Sequence, residues 1–279
     1  MDFVDFPGVE RSDPGVPLAF AKYHGLGNDF VVLDRRRVGL ISPEHARRLC
    51  DRHRGIGADG VLSILEAREG ADLRMHVYNA DGSVAEMCGN GLRCVVHRIA
   101  TLSGQASMVV DTDAGRRRGE VLPSGEVRVD LGPARVHSKP VDVILGDRRV
   151  EGVRVDVGNP HLVLPEFPPE AVLAALAGTL GPALSKHDEF EHGTNVEFPR
   201  VLSDMSIEVA VYERGVGLTE ACGTGAGAVV AALMARGRVE DRALVRLPGG
   251  ALWVDARGAD LEITGEAVHV FDGLTYILH

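Results

Sequence analysis

Apolar residues along this chain come mostly in short bursts that alternate with polar ones. "FVVLD" (30–34), "VLSIL" (61–65), "LRMHVY" (73–78), "EVRVDLG" (126–132) and "VRVDVG" (153–158) are rich in β-branched residues and bounded by turn formers. So are "HLVLP" (161–165), "IEVAVYE" (207–213), "ALVRLP" (243–248), "ALWVDA" (251–256) and "LEITG" (261–265). Each predicts a strand. Helical signals are fewer. Ser42 caps and Pro43 opens "SPEHARRLCDRH" (42–53), and "PPEAVLAALAGTLGPALS" (168–185) is a second helix. Two more open at Cys88 and Cys222, and the second runs on as "AGAVVAALM" (226–234), apolar on every side. Such a helix must be surrounded. A curved, mainly antiparallel, barrel-like sheet wrapped on a central helix does this, so the expected fold is mixed α/β of the α+β type.

The pattern occurs twice. "GNDFVVLD" (27–34) aligns with "GNPHLVLP" (158–165), and "RMHVYNADGSVAEMCGNG" (74–91) with "EVAVYERGVGLTEACGTG" (208–225). Between these blocks each half carries a loop, "GIGADG" (55–60) and "HGTNVEF" (192–198). Several matches in one order with similar spacing point to an internal duplication. Two pseudo-symmetric domains are therefore expected. The first spans 18–134, joined by the C-terminal 266–279, and the second spans 135–265, after a loose extension over 1–17.

Composition narrows the partners. The 279 residues carry a formal charge of −10, and no apolar run approaches membrane-spanning length. Nucleic acid and membrane are thus not expected partners. Arg116-Arg117-Arg118 is the one strong basic run and reads as an exposed turn. The start lacks a basic segment followed by an apolar core, which argues against a secretory signal. Four cysteines in a chain of this size make no disulfide framework, which suits reduced thiols and a cytoplasmic setting. "GIGADG" has the spacing of a dinucleotide fingerprint, but a helix precedes it and a strand follows, the reverse of what that site needs. No metal cluster spacing is visible, so neither cofactor nor metal is expected.

The chemistry lies at the helix starts. A thiol there meets unpaired backbone N–H groups and the positive end of the helix dipole, which lowers its pKa toward neutrality. The glycines that follow leave those N–H groups open to a carboxylate. A single cysteine so placed is more often structural. Duplication changes that reading for Cys88 and Cys222, while Cys50 and Cys94 have no counterparts and read as small core residues. Two opposed thiols can remove a proton from one face of a carbon and return one to the other. That inverts a stereocentre. The sulfurs would sit roughly 7 Å apart around the bound carbon, since each approaches to about 3–3.5 Å. A thiol sensor or a small-molecule binding protein are alternatives from other classes. The first needs no amide lining, and the second tolerates loss of either thiol.

"KYHGLGNDFVVLD", "RHRGIGADGVL", "YNADGSVAEMCGNGLRC", "VGNPHLV", "GTNVEF", "YERGVGLTEACGTGAGA" and "TGEAVHVFDG" together resemble the diaminopimelate epimerase family, from about Phe20 to the C-terminus. The resemblance implies a pyridoxal-independent, two-base conversion of LL- to meso-diaminopimelate, a precursor of lysine and peptidoglycan, at a site between the two domains. It implies Cys88 and Cys222 as proton donor and acceptor, in roles that exchange with direction, and His161 and Glu213 as residues tuning the thiols. It also implies substrate binding by Asn28, Gly60, Asn79, Gly89, Asn90, Asn159, Asn195, Glu213, Arg214, Gly223 and Thr224, and a homodimer. Taken alone, His161 reads as a core imidazole and Glu213 as an ion-pair partner. Departures from the family pattern are Gly60 where glutamine is common, Leu218 where glutamate is common, and Phe271 in place of a dimer-associated tyrosine. Related two-thiol racemases share the fold, so a different amino acid substrate is the alternative reading.

Overall fold

A computed structural model describes residues 17–276; apart from Pro17, the extension expected over 1–17 lies outside the described residues. The first stretch of chain runs β1 (Leu18–Gly25), β2 (Asn28–Asp34), α1 (Pro43–Cys50), β3 (Gly60–Leu65), β4 (Leu73–Asn79), β5 (Val84–Ala85), α2 (Gly89–Ser103), β6 (Ser107–Thr112), β7 (Gly115–Val121) and β8 (Val127–Gly132). The second runs β9 (Arg135–Val136), β10 (Val141–Leu145), β11 (Arg148–Asp156), β12 (Pro160–Val163), α3 (Leu173–Ser185), β13 (Asn195–Ser203), β14 (Ser206–Glu213), β15 (Gly217–Thr219), α4 (Gly223–Met234), β16 (Arg242–Leu247), β17 (Gly250–Asp255), β18 (Leu261–Gly265) and β19 (Val268–Thr275).

The strand pairing repeats. β2 pairs parallel with β3, β3 antiparallel with β4, and β4 parallel with β6. β12, β13, β14 and β16 do the same in the second repeat. The two systems join where β8 pairs antiparallel with β18, and β19 returns to pair with β1. The result is a mixed α/β fold with a curled, mainly antiparallel sheet around α2 and α4. Every residue of α4 from Gly223 to Leu233 is buried, as its all-apolar surface requires. Full burial of side chains such as Val229, Val230 and Leu233 contributes about 1.5–3 kcal/mol apiece. α2 ends at Gly104, whose left-handed φ of 77° closes the helix on the Ala100 carbonyl.

All ten strand segments and four helices expected from the pattern are present, and among the described residues nine further strands join them. β13 contains Pro199, a residue that argues against a central strand. Its parallel partner β12 ends opposite Glu197, so no ladder bond is needed from the missing N–H. The arginine run is not an exposed turn. It lies in β7, where alternation turns Arg117 inward, and this side chain donates to the Ala114 and Arg116 carbonyls. The β6 ladder, which pairs with all three arginines, decides this, not local polarity.

Candidate active site

Cys88 and Cys222 are the N-caps of α2 and α4, in extended conformations of φ −142°, ψ 103° and φ −129°, ψ 109°. The usual cap is a hydroxyl or carboxylate oxygen; here a sulfur accepts from the backbone N–H three residues on. Gly91 N to Cys88 Sγ and Gly225 N to Cys222 Sγ are both 3.3 Å. The glycines just after the cysteines let the two helix starts abut. A Cβ on Gly89 would stand 3.6 Å from the Gly223 Cα, and one on Gly223 would stand 3.4 Å from the Gly89 Cα. The thiol-bearing ends of the two repeats thus meet at one place, with the first N–H groups of both helices gathered there.

Around this point lie most of the residues implied by the family resemblance. Asn28 opens β2, and Gly60 stands opposite Asn79 in the β3–β4 ladder. Asn90 Nδ2 donates to the Ala221 carbonyl at 2.9 Å, across the join, and to Asn28 Oδ1 at 3.2 Å. Asn28 in turn donates to Asp59 at 3.0 Å. In the second repeat, His161 stands opposite Asn195, whose Oδ1 accepts from the Arg214 N–H at 2.9 Å. Asn159 Nδ2 donates to Thr224 Oγ1 at 3.3 Å, and Thr224 Oγ1 is 3.5 Å from Cys222 Sγ. The Asn159 and Asn195 amides each keep a spare donor and acceptor. Asn90 has committed both side-chain hydrogens to protein oxygens, and its backbone N–H turns toward Cys88. Asn79 and Arg214 face elsewhere: Asn79 donates to Ser83 Oγ at 2.9 Å, and Arg214 to the His192 carbonyl at 3.1 Å and Glu86 at 3.4 Å. Gly60 offers backbone alone.

Two buried charges escaped the sequence reading. Glu197 Oε1 lies 2.6 Å from His161 Nδ1, with both side chains fully buried, and Asn159 Oδ1 lies 2.9 Å from the other ring nitrogen. Both ring nitrogens therefore face oxygen atoms. Glu197 also sits beneath the start of α4, 3.1 Å from where a Gly225 Cβ would be. Arg93, on α2, is fully buried and donates to Asn90 Oδ1 at 2.9 Å. A charged residue inside the apolar strand "NVEF" and another inside the apolar helix "GLRCVV" were the available signals. Charge alone did not distinguish them from surface residues.

Electrostatics correct one expectation. The helix starts do favour thiolate, but burial outweighs them. Burial pushes the Cys88 thiol up to about 12, against the Gly91 N–H bond that lowers it. It pushes Cys222 up well above its usual value, and the nearby Glu213 and Glu197 add to this. Desolvation disfavours any charged form, and here it removes more solvation than two N–H groups restore. Burial also raises the Glu213 carboxyl to about 7, despite bonds to Thr219 and Cys222 that favour its charged form. Among the described residues no group of three His, Cys, Asp or Glu is arranged to hold a metal, and no helix is long and apolar enough to cross a membrane. A cleft of about 510 Å³ reaches Asn159 and His161 past His192. A larger one of about 1120 Å³, between β7, β8 and the 255–262 segment, contains none of these residues.

The fold resembles that of a hydroxyproline epimerase from Agrobacterium vitis solved with trans-4-hydroxy-L-proline, with a TM-score of 0.73 at 17% identity over 92% of each chain. A PhzF-family phenazine biosynthesis protein from Bacillus anthracis gives 0.63 at 14% identity, covering 93% of this chain and 99% of that one. In sequence, the chain is 42% identical to the diaminopimelate epimerase of Thermosynechococcus vestitus over 284 residues, 92% of this chain and 98% of the other. It is 41% identical to the chloroplastic diaminopimelate epimerase of Oryza sativa subsp. japonica over 290 residues, 95% of this chain and 82% of the other. The protein is an isomerase, of the amino acid epimerase class. The profile of one family matches it twice, over residues 20–137 and again over 153–270, once per repeat. The chain belongs to the diaminopimelate epimerase family.

Proposed function

We propose that the protein epimerises LL-2,6-diaminopimelate to the meso form with two opposed thiols and no cofactor, supplying lysine and peptidoglycan synthesis. One observation carries this: the helix starts capped by Cys88 and Cys222, one from each repeat, abut at Gly89 and Gly223. The two halves, 18–134 with 266–279 and 135–265, then form the walls of one cleft. The α-carboxylate sits on the N–H groups of Gly89, Asn90, Gly223 and Thr224, where it is bound and where charge developing on proton removal is stabilised. One sulfur, as thiolate, takes the α-proton; the S–H of the other returns a proton to the opposite face, leaving the charge on the second sulfur. The substrate's α-ammonium offsets the desolvation that holds both thiols protonated in the empty cleft. Asn159 and Asn195, with one free donor and one free acceptor each, suit a zwitterion. Arg214, released from Glu86, is the partner for the distal carboxylate. Glu213, bonded to Cys222 and poised near 7, exchanges protons with that thiol, and Glu197 fixes His161 beside it.

A cytoplasmic setting keeps the four free cysteines reduced. Exposed Val270, Phe271 and Leu274 on β19 support a homodimer through that strand, with Phe271 packing on Phe20 at 5.8 Å. The test is incubation with LL-diaminopimelate in deuterated water. Meso product carrying one solvent deuterium at an α-carbon is expected. Inversion of another amino acid, with diaminopimelate untouched, would show that the substrate assignment is wrong.

A further inference from the structure

The two thiols occupy matching places in matching helices, yet the buried charges around them are opposite. Five residues into α2 stands Arg93, wholly buried. Its guanidinium bonds to the Asn90 side chain at 2.9 Å and to the Glu266 carbonyl at 3.3 Å. Nη1 has no hydrogen-bond partner, and among the described residues no carboxylate forms an ion pair with it. Glu266 acts on it only through space, and a buried cation with no counter-ion in contact is costly, so its place in the fold needs a reason. Burial draws Arg93 down to about 10, which leaves it a cation at neutral pH. The equivalent place in α4 is Gly227, with no charge at all. In its stead, Glu197 lies under the start of α4 with one carboxylate oxygen unpartnered.

We propose that Arg93 is a positioning residue that makes Cys88, rather than Cys222, the thiol that gives up its proton first in the unliganded protein. The inference deepens the two-thiol reading and rests on it. During turnover a two-base site must hold one sulfur charged and one protonated, and two identical helix starts would leave open which sulfur ionises first. The groups facing Cys88 are Arg93 on its own helix and Glu213 from β14, and Cys94 lies beside Arg93. Those facing Cys222 are Glu213 from β14 and Glu197 from β13, with His161 of β12 joined to Glu197. Glu213 acts against both thiolates, although it bonds to Cys222 alone. The difference lies in a cation on one side and a carboxylate on the other. Arg93 also turns the Asn90 amide so that its hydrogens reach Ala221 and Asn28, which holds the two repeats in register across the thiols.

The experiment needs neither substrate nor turnover, so it stands or falls apart from the epimerase assay. The ligand-free protein is alkylated with iodoacetamide across a pH series, and peptide mass spectrometry follows each cysteine. The midpoint of each thiol's pH profile is the readout rather than its rate, because Cys88 is the more exposed of the two. The Cys88 midpoint should lie below that of Cys222. Arg93→Met should raise the Cys88 midpoint by about one unit, slowing its labelling about tenfold at neutral pH, and leave Cys222 in place. Arg93→Lys should keep the wild-type order. Gly25→Ala, which sets a methyl 3.0 Å from Arg93 Nη2 and leaves the helix intact, should move Cys88 in the same direction as Arg93→Met even if the latter fails to fold. A lower midpoint for Cys222, or variants that shift both thiols equally or neither, would overturn the proposal.

Discussion

Replacing Glu213 by glutamine removes one ionisable group and keeps its shape. Burial holds this carboxyl at about 7 in the folded protein, whereas an unfolded glutamate titrates near about 4.3. The folded state therefore binds this proton more tightly than the unfolded one. Its contribution to stability is complete below about 4.3 and is lost as the pH rises through about 7. At about 1.36 kcal/mol per unit, the gap amounts to roughly 3–4 kcal/mol in full, of which some 2–3 kcal/mol falls between about pH 5 and pH 8. Glu213 keeps some exposure, and screening by water sets the expectation at the lower end, about 2 kcal/mol. Urea unfolding of wild type and Glu213→Gln at the two ends of that range measures it, because other titrating groups cancel in the difference. The variant should gain about 2 kcal/mol on the wild type as the pH rises across this window, while turnover falls because an amide exchanges no proton with Cys222. Parallel stability profiles would refute the burial argument. The cost that Glu213 imposes above neutrality is the kind retained at functional sites.

Cys88→Ala and Cys222→Ala should each reduce turnover by at least about a thousandfold with unchanged circular dichroism. Cys50→Ala and Cys94→Ala, at buried positions away from the helix starts, should cost only about 1 kcal/mol of packing in urea unfolding and leave turnover near wild type. Gly223→Ala puts a methyl 2.9 Å from Ile263 Cδ1 and 3.4 Å from the Gly89 Cα, so it should wedge the helix starts apart. Steady-state kinetics should show kcat about a hundredfold lower for a shift of about 1 Å, and an unchanged kcat would mean the contact is not the reactive junction. Mild oxidant should inactivate the protein reversibly through a Cys88–Cys222 link, with diaminopimelate protecting. Peptide mapping that found Cys50 or Cys94 linked instead would count against a shared cleft.

Local signals carried much of this protein. Alternating β-branched bursts marked the ten clearest strands, Ser42 and Pro43 marked α1, and the paired Glu-x-Cys-Gly-x-Gly segments marked the duplication and both cysteine-capped helix starts. These are legible because capping, periodicity and turn chemistry act between residues a few positions apart. The tertiary structure decided the rest. β7 forms through an arginine run because β6 pairs with each of the three arginines while β8 pairs with the Gly119–Val121 end, and β13 crosses Pro199 because its parallel partner has already ended. The thiols show the same division most plainly. The helix-start effect on Cys88 and Cys222 is written in the motif, but its outcome depends on how much water the fold removes. That quantity comes from elements more than a hundred residues apart in sequence, as the contact between Gly89 and Gly223 shows. Arg93 and Glu197 were hidden for that reason too: a charge's meaning depends on its solvation and its neighbours, and only the assembled fold supplies either.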